Sequence, residues 1–186
     1  MIGRLERFRA AMTDNSARVH GPFPADAAGA VAADLARVRA RGRAVAVSIA
    51  DPLVARLALP ARLAAAGVEV LLPDDPSWRE ALASAGAGVT GATFGLAATG
   101  TVGVPCGPGS PRATSLVPPA HVCLVRSADV VEDLAEALAR LSTLPEALPS
   151  GLAWVSGPSR SADLELTLTL GVHGPASVDV VLVDEA

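Results

Sequence analysis

Residues 120–141 read AHVCLVRSADVVEDLAEALARL, and the order of patterns inside them decides the class of fold. Ala120–Arg126 is a short apolar run rich in valine, the length of a strand covered on both faces and too short for a buried helix. Over Asp129–Leu141 the period changes to that of a helix. Val130, Leu134, Leu138 and Leu141 recur at intervals of four or three residues and so share one face. Asp129 and Glu132 have capping-box spacing, and Glu136 stands four residues before Arg140, the favourable order for a helical ion pair. A buried strand followed directly by an amphipathic helix is the building block of a parallel sheet.

The same alternation extends in both directions. Towards the N-terminus, a helix near Arg4–Met12 leads through a loop holding Gly21, Pro22 and Pro24 into a second helix, Ala25–Arg41. Val31, Leu35 and Val38 line one face of that helix, and Gly42 stops it. Ala44–Ala50 (AVAVSIA) is an expected buried strand. Helical sequence follows, broken at Pro60, resumed to Ala66 and ended by Gly67. Val68–Leu72 is the next strand, and Pro76–Ala85 a helix with proline in its first turn. Towards the C-terminus, Pro145 and Pro149 frame a turn, and Leu152–Ser156 and Val178–Asp184 are strands. The expected architecture is α/β, a mostly parallel sheet with helices on both faces. With no internal repeat, residues 1–186 are expected to form a single domain, a helical segment over about 1–42 preceding a core over about 43–186.

Composition narrows the chemistry. Hydrophobic residues make up 51% of the chain and charged residues 18%, which fits a packed globule. The formal net charge of -4 gives no basis for nucleic-acid binding. Arg37, Arg39, Arg41 and Arg43 cluster at a helix end, where cations complement the helix dipole, so a solvated face is preferred over an anion patch. The N-terminus lacks the apolar stretch of a secretory signal, and no apolar run is long enough to span a membrane, so a cytoplasmic location is expected. All fifteen basic residues are arginine. Without lysine there is no Walker-A phosphate lysine, no Schiff base and no Ser-Lys pair. Cys106 and Cys123 are too few to hold an iron–sulfur cluster by the usual four thiolates. No redox cofactor and no metal are expected.

Three glycine-rich stretches are the candidate ligand contacts. The first is Gly88–Gly109; a literal GxGxxG at Gly86, Gly88 and Gly91 overlaps its start, but it follows a helix, so the dinucleotide context fails and tight strand packing is the default, as for Gly95 and Gly103. The second is SGPSRSAD, Ser156–Asp163. A helix starting near Ser161 would give free N–H groups and hydroxyls for an anion, with Arg160 gripping a carboxylate and Asp163 as a first-turn acid or proton acceptor. The same residues equally suit an ordinary serine-capped helix start. Leu164, Leu166, Leu168 and Leu170 alternate with polar residues as in a strand; the short helix is nevertheless the reading adopted. The third is Gly171–Pro175, where His173 stands between glycines with few local packing partners. His121, inside an apolar strand, is expected to be a core residue, and convergence of His121, His173 and Asp163 on a metal is disfavoured.

GVTGATFGLAATGT (Gly88–Thr101), LVPPAHVCLVR (Leu116–Arg126), SGPSRSADLE (Ser156–Glu165) and GVHGP (Gly171–Pro175) together resemble the LUD-domain family, specifically its lactate-utilisation protein C group, over roughly Ala44 to the end. The resemblance implies a three-layer α/β/α sandwich of the NagB/RpiA/CoA-transferase type. It also implies a role in converting L-lactate to pyruvate beside iron–sulfur partner proteins. Ala98 stands where the family pattern AETGT carries Glu, which favours binding or assembly over chemistry at that point. Carried over, the ligand site comprises Thr99, Gly100, Thr101, Ser159, Arg160 and Ser161, holding a small carboxylate or other anion. His173 and Asp163 are the candidates for any catalytic role. Whether the chain is an enzyme stays open. The alternatives are a stand-alone enzyme related to folate cyclo-ligases and CoA transferases, or a small-molecule sensor.

Overall fold

A computed structural model describes residues 3–142, 149–162, 168–170 and 173–185. In chain order its elements are α1 (Arg4–Asp14), β1 (Arg18–Pro24), α2 (Ala25–Ala40), β2 (Val45–Val47), α3 (Pro52–Arg56), α4 (Leu59–Ala65) and β3 (Val70–Leu71). They continue with α5 (Trp78–Ala81), β4 (Ala87–Gly91), β5 (Phe94–Leu96), β6 (Thr101–Cys106), α6 (Ala113–Leu116), β7 (Ala120–Arg126) and β8 (Val130–Val131). The last are α7 (Leu134–Leu141), β9 (Gly151–Val155), β10 (Arg160–Ala162), β11 (Leu168–Leu170) and β12 (Ser177–Asp184).

The α/β architecture is the one expected. The main sheet has strand order β1-β12-β7-β4-β2-β3, and every neighbouring pair in it is parallel. Strand β7, the anchor of the sequence reading, lies between β12 and β4 and spans the expected residues. Its side chains alternate between two cores. Val122 and Leu124 join Val45, Val47, Val89, Val181 and Val183 beneath α2, α3 and α4. Cys123 and Val125 join Val178, Val180 and Leu182 on the opposite face. That face is covered by α1, through Phe8 and Met12, and by a second sheet of order β8-β5-β6-β9 that supplies Val102, Val104, Ala153 and Val155. One flank is therefore helical and the other is a helix plus a small mixed sheet.

Several local expectations are corrected. Gly21–Pro24 is not a loop but the end of edge strand β1, paired with β12 and irregular between His20 and Phe23. In α2 the buried face is Ala28, Ala32, Ala36 and Ala40, while Val31 and Leu35 are only partly buried and Val38 is exposed. Alanines spaced by four let the helix axis approach the sheet closely, which larger side chains would prevent. Pro60 does not interrupt a helix. It lies in the first turn of α4, separated from α3 by Ala58 in the left-handed conformation. The helix placed at Asp129–Leu141 begins one turn later. Val130 and Val131 form β8 against β5, and Asp133 caps α7 by accepting from Glu136 N at 3.0 Å. The Glu136–Arg140 pair forms as expected at 3.4 Å, but Ala137 and Leu141 face the core while Leu134 and Leu138 are exposed.

The short helix near Ser161 is also overturned. Arg160–Ala162 is strand β10, antiparallel to β11, with Arg160 opposite Leu170 and Ala162 opposite Leu168. The period-two alternation of leucine with threonine and glutamate prevailed over the serine-rich helix-start signal. Asp163, the leucines at 164 and 166, Gly171, Val172 and Pro145 lie outside the described residues.

Candidate functional site

The turn between β5 and β6 and the segment after β9 meet because β6 and β9 are antiparallel, with Val102 opposite Val155. That register sets Thr101 beside Ser156, and their hydroxyls lie 2.8 Å apart. Thr99 Oγ1 is 2.8 Å from Thr101 Oγ1, giving a chain of three hydroxyls. Two shared hydrogen bonds use two of the three O–H groups, so one O–H is left over whatever the direction of donation. Thr101 is buried, while Thr99 and Ser156 at the two ends are exposed. The turn is pinned from below by α1. Asn15 Nδ2 donates to Thr99 O at 2.9 Å, and Gly100 has φ 59° with its backbone against Ala11 and Met12. A Cβ at Gly100 would sit 2.4 Å from Met12 N, so only glycine allows both the turn and the approach.

The SGPSR segment reaches the third motif as well. Ser159 N donates to Pro175 O at 2.8 Å, and Gly174 lies against the Ser159 side chain. His173 is exposed in this loop. Ser159 thus lies three residues along the chain from Ser156, which bonds Thr101, and its backbone meets the loop that carries His173. Arg160 and Ser161 follow directly as strand β10, so the amide cradle of a helix N-terminus is withdrawn and the hydroxyl chain remains. The location differs from the rule that open parallel sheets bind ligands beyond their carboxyl ends. Asn15 precedes β1, and Gly174–Ala176 precedes β12, with Ala176 N bonded to Pro119 O before β7. These residues lie at the amino end of the sheet.

His121 is a core residue, as expected. It is fully buried, with Nε2 2.8 Å from Thr90 Oγ1, and burial lowers its pKa to about 4, a drop that the charge of Asp179 only partly offsets. It is therefore neutral at ordinary pH. The Cys123 thiol, near Thr90 Oγ1, is pushed up to about 12 by burial. On the other face of the sheet Asp179 has a fully buried side chain. It accepts from Arg18 at 2.7 and 3.0 Å and from Arg39 at 2.8 and 3.2 Å, and lies 2.9 Å from His20 Nε2. Burial alone would raise its pKa; the bonds from Arg18, Arg39 and His20 outweigh that and hold it well below the usual carboxylate range. Arg39, expected to serve a solvated helix end, is thus a partner of this buried acid, while Arg37 pairs with Asp34 on the surface.

Sequence reasoning missed the residues at the carboxyl ends of the strands. Asp51, just past β2, is 6% exposed and accepts from Leu53 N at 2.9 Å and Val54 N at 3.1 Å. Burial raises its pKa, offset in part by those two bonds and by the charge of Arg126. Arg126 ends β7, and Glu185 follows β12. The signal available was the Asp-Pro pair at Asp51–Pro52, a capped helix start placed directly after a strand.

A family model, the LUD domain, matches residues 5–183. The chain belongs to the LUD-domain family. A crystal structure of a DUF162-family protein from Deinococcus radiodurans superposes on this LUD domain with a TM-score of 0.69 at 25% identity, covering 98% of this chain and 99% of that one. Lactate utilization protein C of an Exiguobacterium strain is 36% identical over 110 residues, 58% of this chain and 48% of the relative. Lactate utilization protein C of Deinococcus radiodurans is 34% identical over 127 residues, 67% of this chain and 59% of the relative. The alignments with the curated relatives it matches span about half of their length. At position 98 this LUD domain presents an exposed alanine whose N–H bonds to Glu132 O at 2.9 Å, so no carboxylate projects from that point of the turn.

Proposed function

We propose that this LUD domain serves L-lactate utilisation by binding a small carboxylate at the turn built from Thr99, Gly100, Thr101 and Ser156, with Ser159, Arg160 and Ser161 completing the site. The observation that carries the reading is the three-hydroxyl chain with its leftover O–H donor, on a turn pinned by Asn15 and bonded to Ser156 at the start of the segment that bears Arg160. A carboxylate accepts such a donor and is gripped bidentately by a guanidinium. The relatives named lactate utilization protein C support the choice of lactate or its oxidation product as the anion. Electrons then pass through iron–sulfur partner proteins rather than through this chain. His173 and Asp163 are kept as the candidates for any proton handling.

Calorimetric titration with L-lactate and with pyruvate tests the site. Arg160→Ala is expected to weaken binding by at least tenfold with the melting temperature unchanged. Ser156→Ala, which removes about one hydrogen bond worth about 1 kcal/mol, is expected to weaken it roughly fivefold. Unaltered affinity in both variants removes the site assignment.

A further inference from the structure

At the carboxyl ends of β2, β7 and β12, polar groups are left without hydrogen bonds. Asp51 Oδ1 takes both capping bonds of α3, and among the described residues nothing donates to Oδ2. Arg126 is close to two acids, with Nε 3.0 Å from Glu185 and a terminal nitrogen 3.6 Å from Asp129. Neither approach is a hydrogen bond: Nε is buried without a partner, and 3.6 Å is too long. The charge of Arg126 is compensated while its donors remain unspent. Ser127 Oγ, the next residue, is likewise buried and unpartnered among the described residues. Buried polar groups of a folded chain are nearly always paired, so the buried orphans Arg126 Nε and Ser127 Oγ, at the same end of the sheet as the unused Asp51 Oδ2, call for a partner.

Their arrangement is specific. The Asp51 carboxylate lies over Gly91, where a Cβ would sit 2.1 Å from it, so the end of β4 is kept bare to admit the acid. Gly91 pairs with Leu124, two residues before Arg126 and on the same side of β7. Arg56, at the end of α3, ion-pairs with Glu185. An acceptor and a forked donor thus face the same end of the sheet.

We propose that the carboxyl end of the sheet is a second ligand site, distinct from the Ser156 turn, for a small hydroxylated anion whose O–H donates to Asp51 Oδ2 and whose anionic group accepts from the Arg126 guanidinium. A 2-hydroxycarboxylate and a small polyol phosphate share that chemistry, and the test separates them. Burial of Asp51, which raises its pKa, adds the capacity to exchange a proton with the bound hydroxyl.

The test follows the Arg126 Nε–Hε and Gly91 amide resonances by NMR while L-lactate, glycerol 3-phosphate or propionate is added to the full chain. At least one of the two hydroxylated anions is expected to shift both resonances, and propionate, lacking the hydroxyl, to bind at least tenfold more weakly. Asp51→Asn retains an oxygen for the α3 cap but turns the acceptor at Oδ2 into a donor, and is expected to weaken binding by at least tenfold with an unchanged melting curve. Arg126→Gln is expected to do the same. Shifts confined to the Ser156 turn, equal binding of propionate, or full affinity in Asp51→Asn would overturn the proposal and leave the first site untouched.

Discussion

Replacing Asp179 by Asn removes one charge from the start of the β1–β12 pairing, opposite Arg18, and leaves the shape of the side chain intact. In the wild type this fully buried carboxylate accepts four hydrogen bonds from two arginines, all between 2.7 and 3.2 Å. Hydrogen bonds to charged groups are each worth about 1.5–3 kcal/mol, and breaking a buried ion pair costs about 3–5 kcal/mol because the partner charge is stranded. Here the arginine side chains are 46% and 30% exposed, so they recover part of their hydration, and the lower end applies. The expected loss is about 3 kcal/mol, a lowering of the melting temperature by about 6–12 °C for a chain of this size. Urea unfolding gives the free energy and calorimetry the midpoint. The pH dependence follows from the depressed pKa. Unfolded aspartate takes up a proton near about pH 3.9 while folded Asp179 stays ionised. The wild-type advantage is therefore constant above about pH 5 and shrinks as the pH falls below about 4. A loss under about 1 kcal/mol, or an advantage that grows as acid is added, would refute the view that this cluster clamps α2, β1 and β12 together.

Two further outcomes follow from the buried groups. Because the folded pKa of His121 is about 4 against an unfolded value near 6.5, stability is full above about pH 6.5 and declines towards pH 4, by about 3 kcal/mol in all; urea unfolding of His121→Leu across that window is expected to show a shallower decline than wild type, and parallel curves would contradict it. Cys123, with its thiol raised to about 12 and no exposed surface, is expected to resist iodoacetamide in the native state, while the partly exposed Cys106 is alkylated; mass spectrometry showing native modification at Cys123 would mean that the second core opens.

How far the chain could be read without coordinates depended on how local the deciding physics was. Strand β7 and the parallel order around it were legible because an apolar run covered on both faces carries its environment in its own composition. The buried side of α2 was not, since alanine is uninformative by itself and its packing depends on how near the sheet lies. The same holds for α7, where Val130 and Val131 have a helical period with Leu134 yet pair with β5. At the first site, the grouping of Thr99–Thr101 with Ser159–Ser161 was implied only by the family resemblance, and the Thr101–Ser156 contact was not legible because the register of β6 with β9 that makes it is non-local. The helix expected at Ser161 failed because two local signals conflicted and hairpin pairing with β11 decided between them. The Asp51 and Arg126 pair was invisible, since 75 positions separate them and only the strand order β7-β4-β2 brings them to one end.

The central claim, that this LUD domain serves L-lactate utilisation, is tested most directly by growth of a clean deletion strain on L-lactate as sole carbon source, with pyruvate as the control and other lactate dehydrogenases removed. Failure on lactate with normal growth on pyruvate, restored by the wild-type chain and not by Arg160→Ala, is the predicted result. Equal growth on both carbon sources would contradict it.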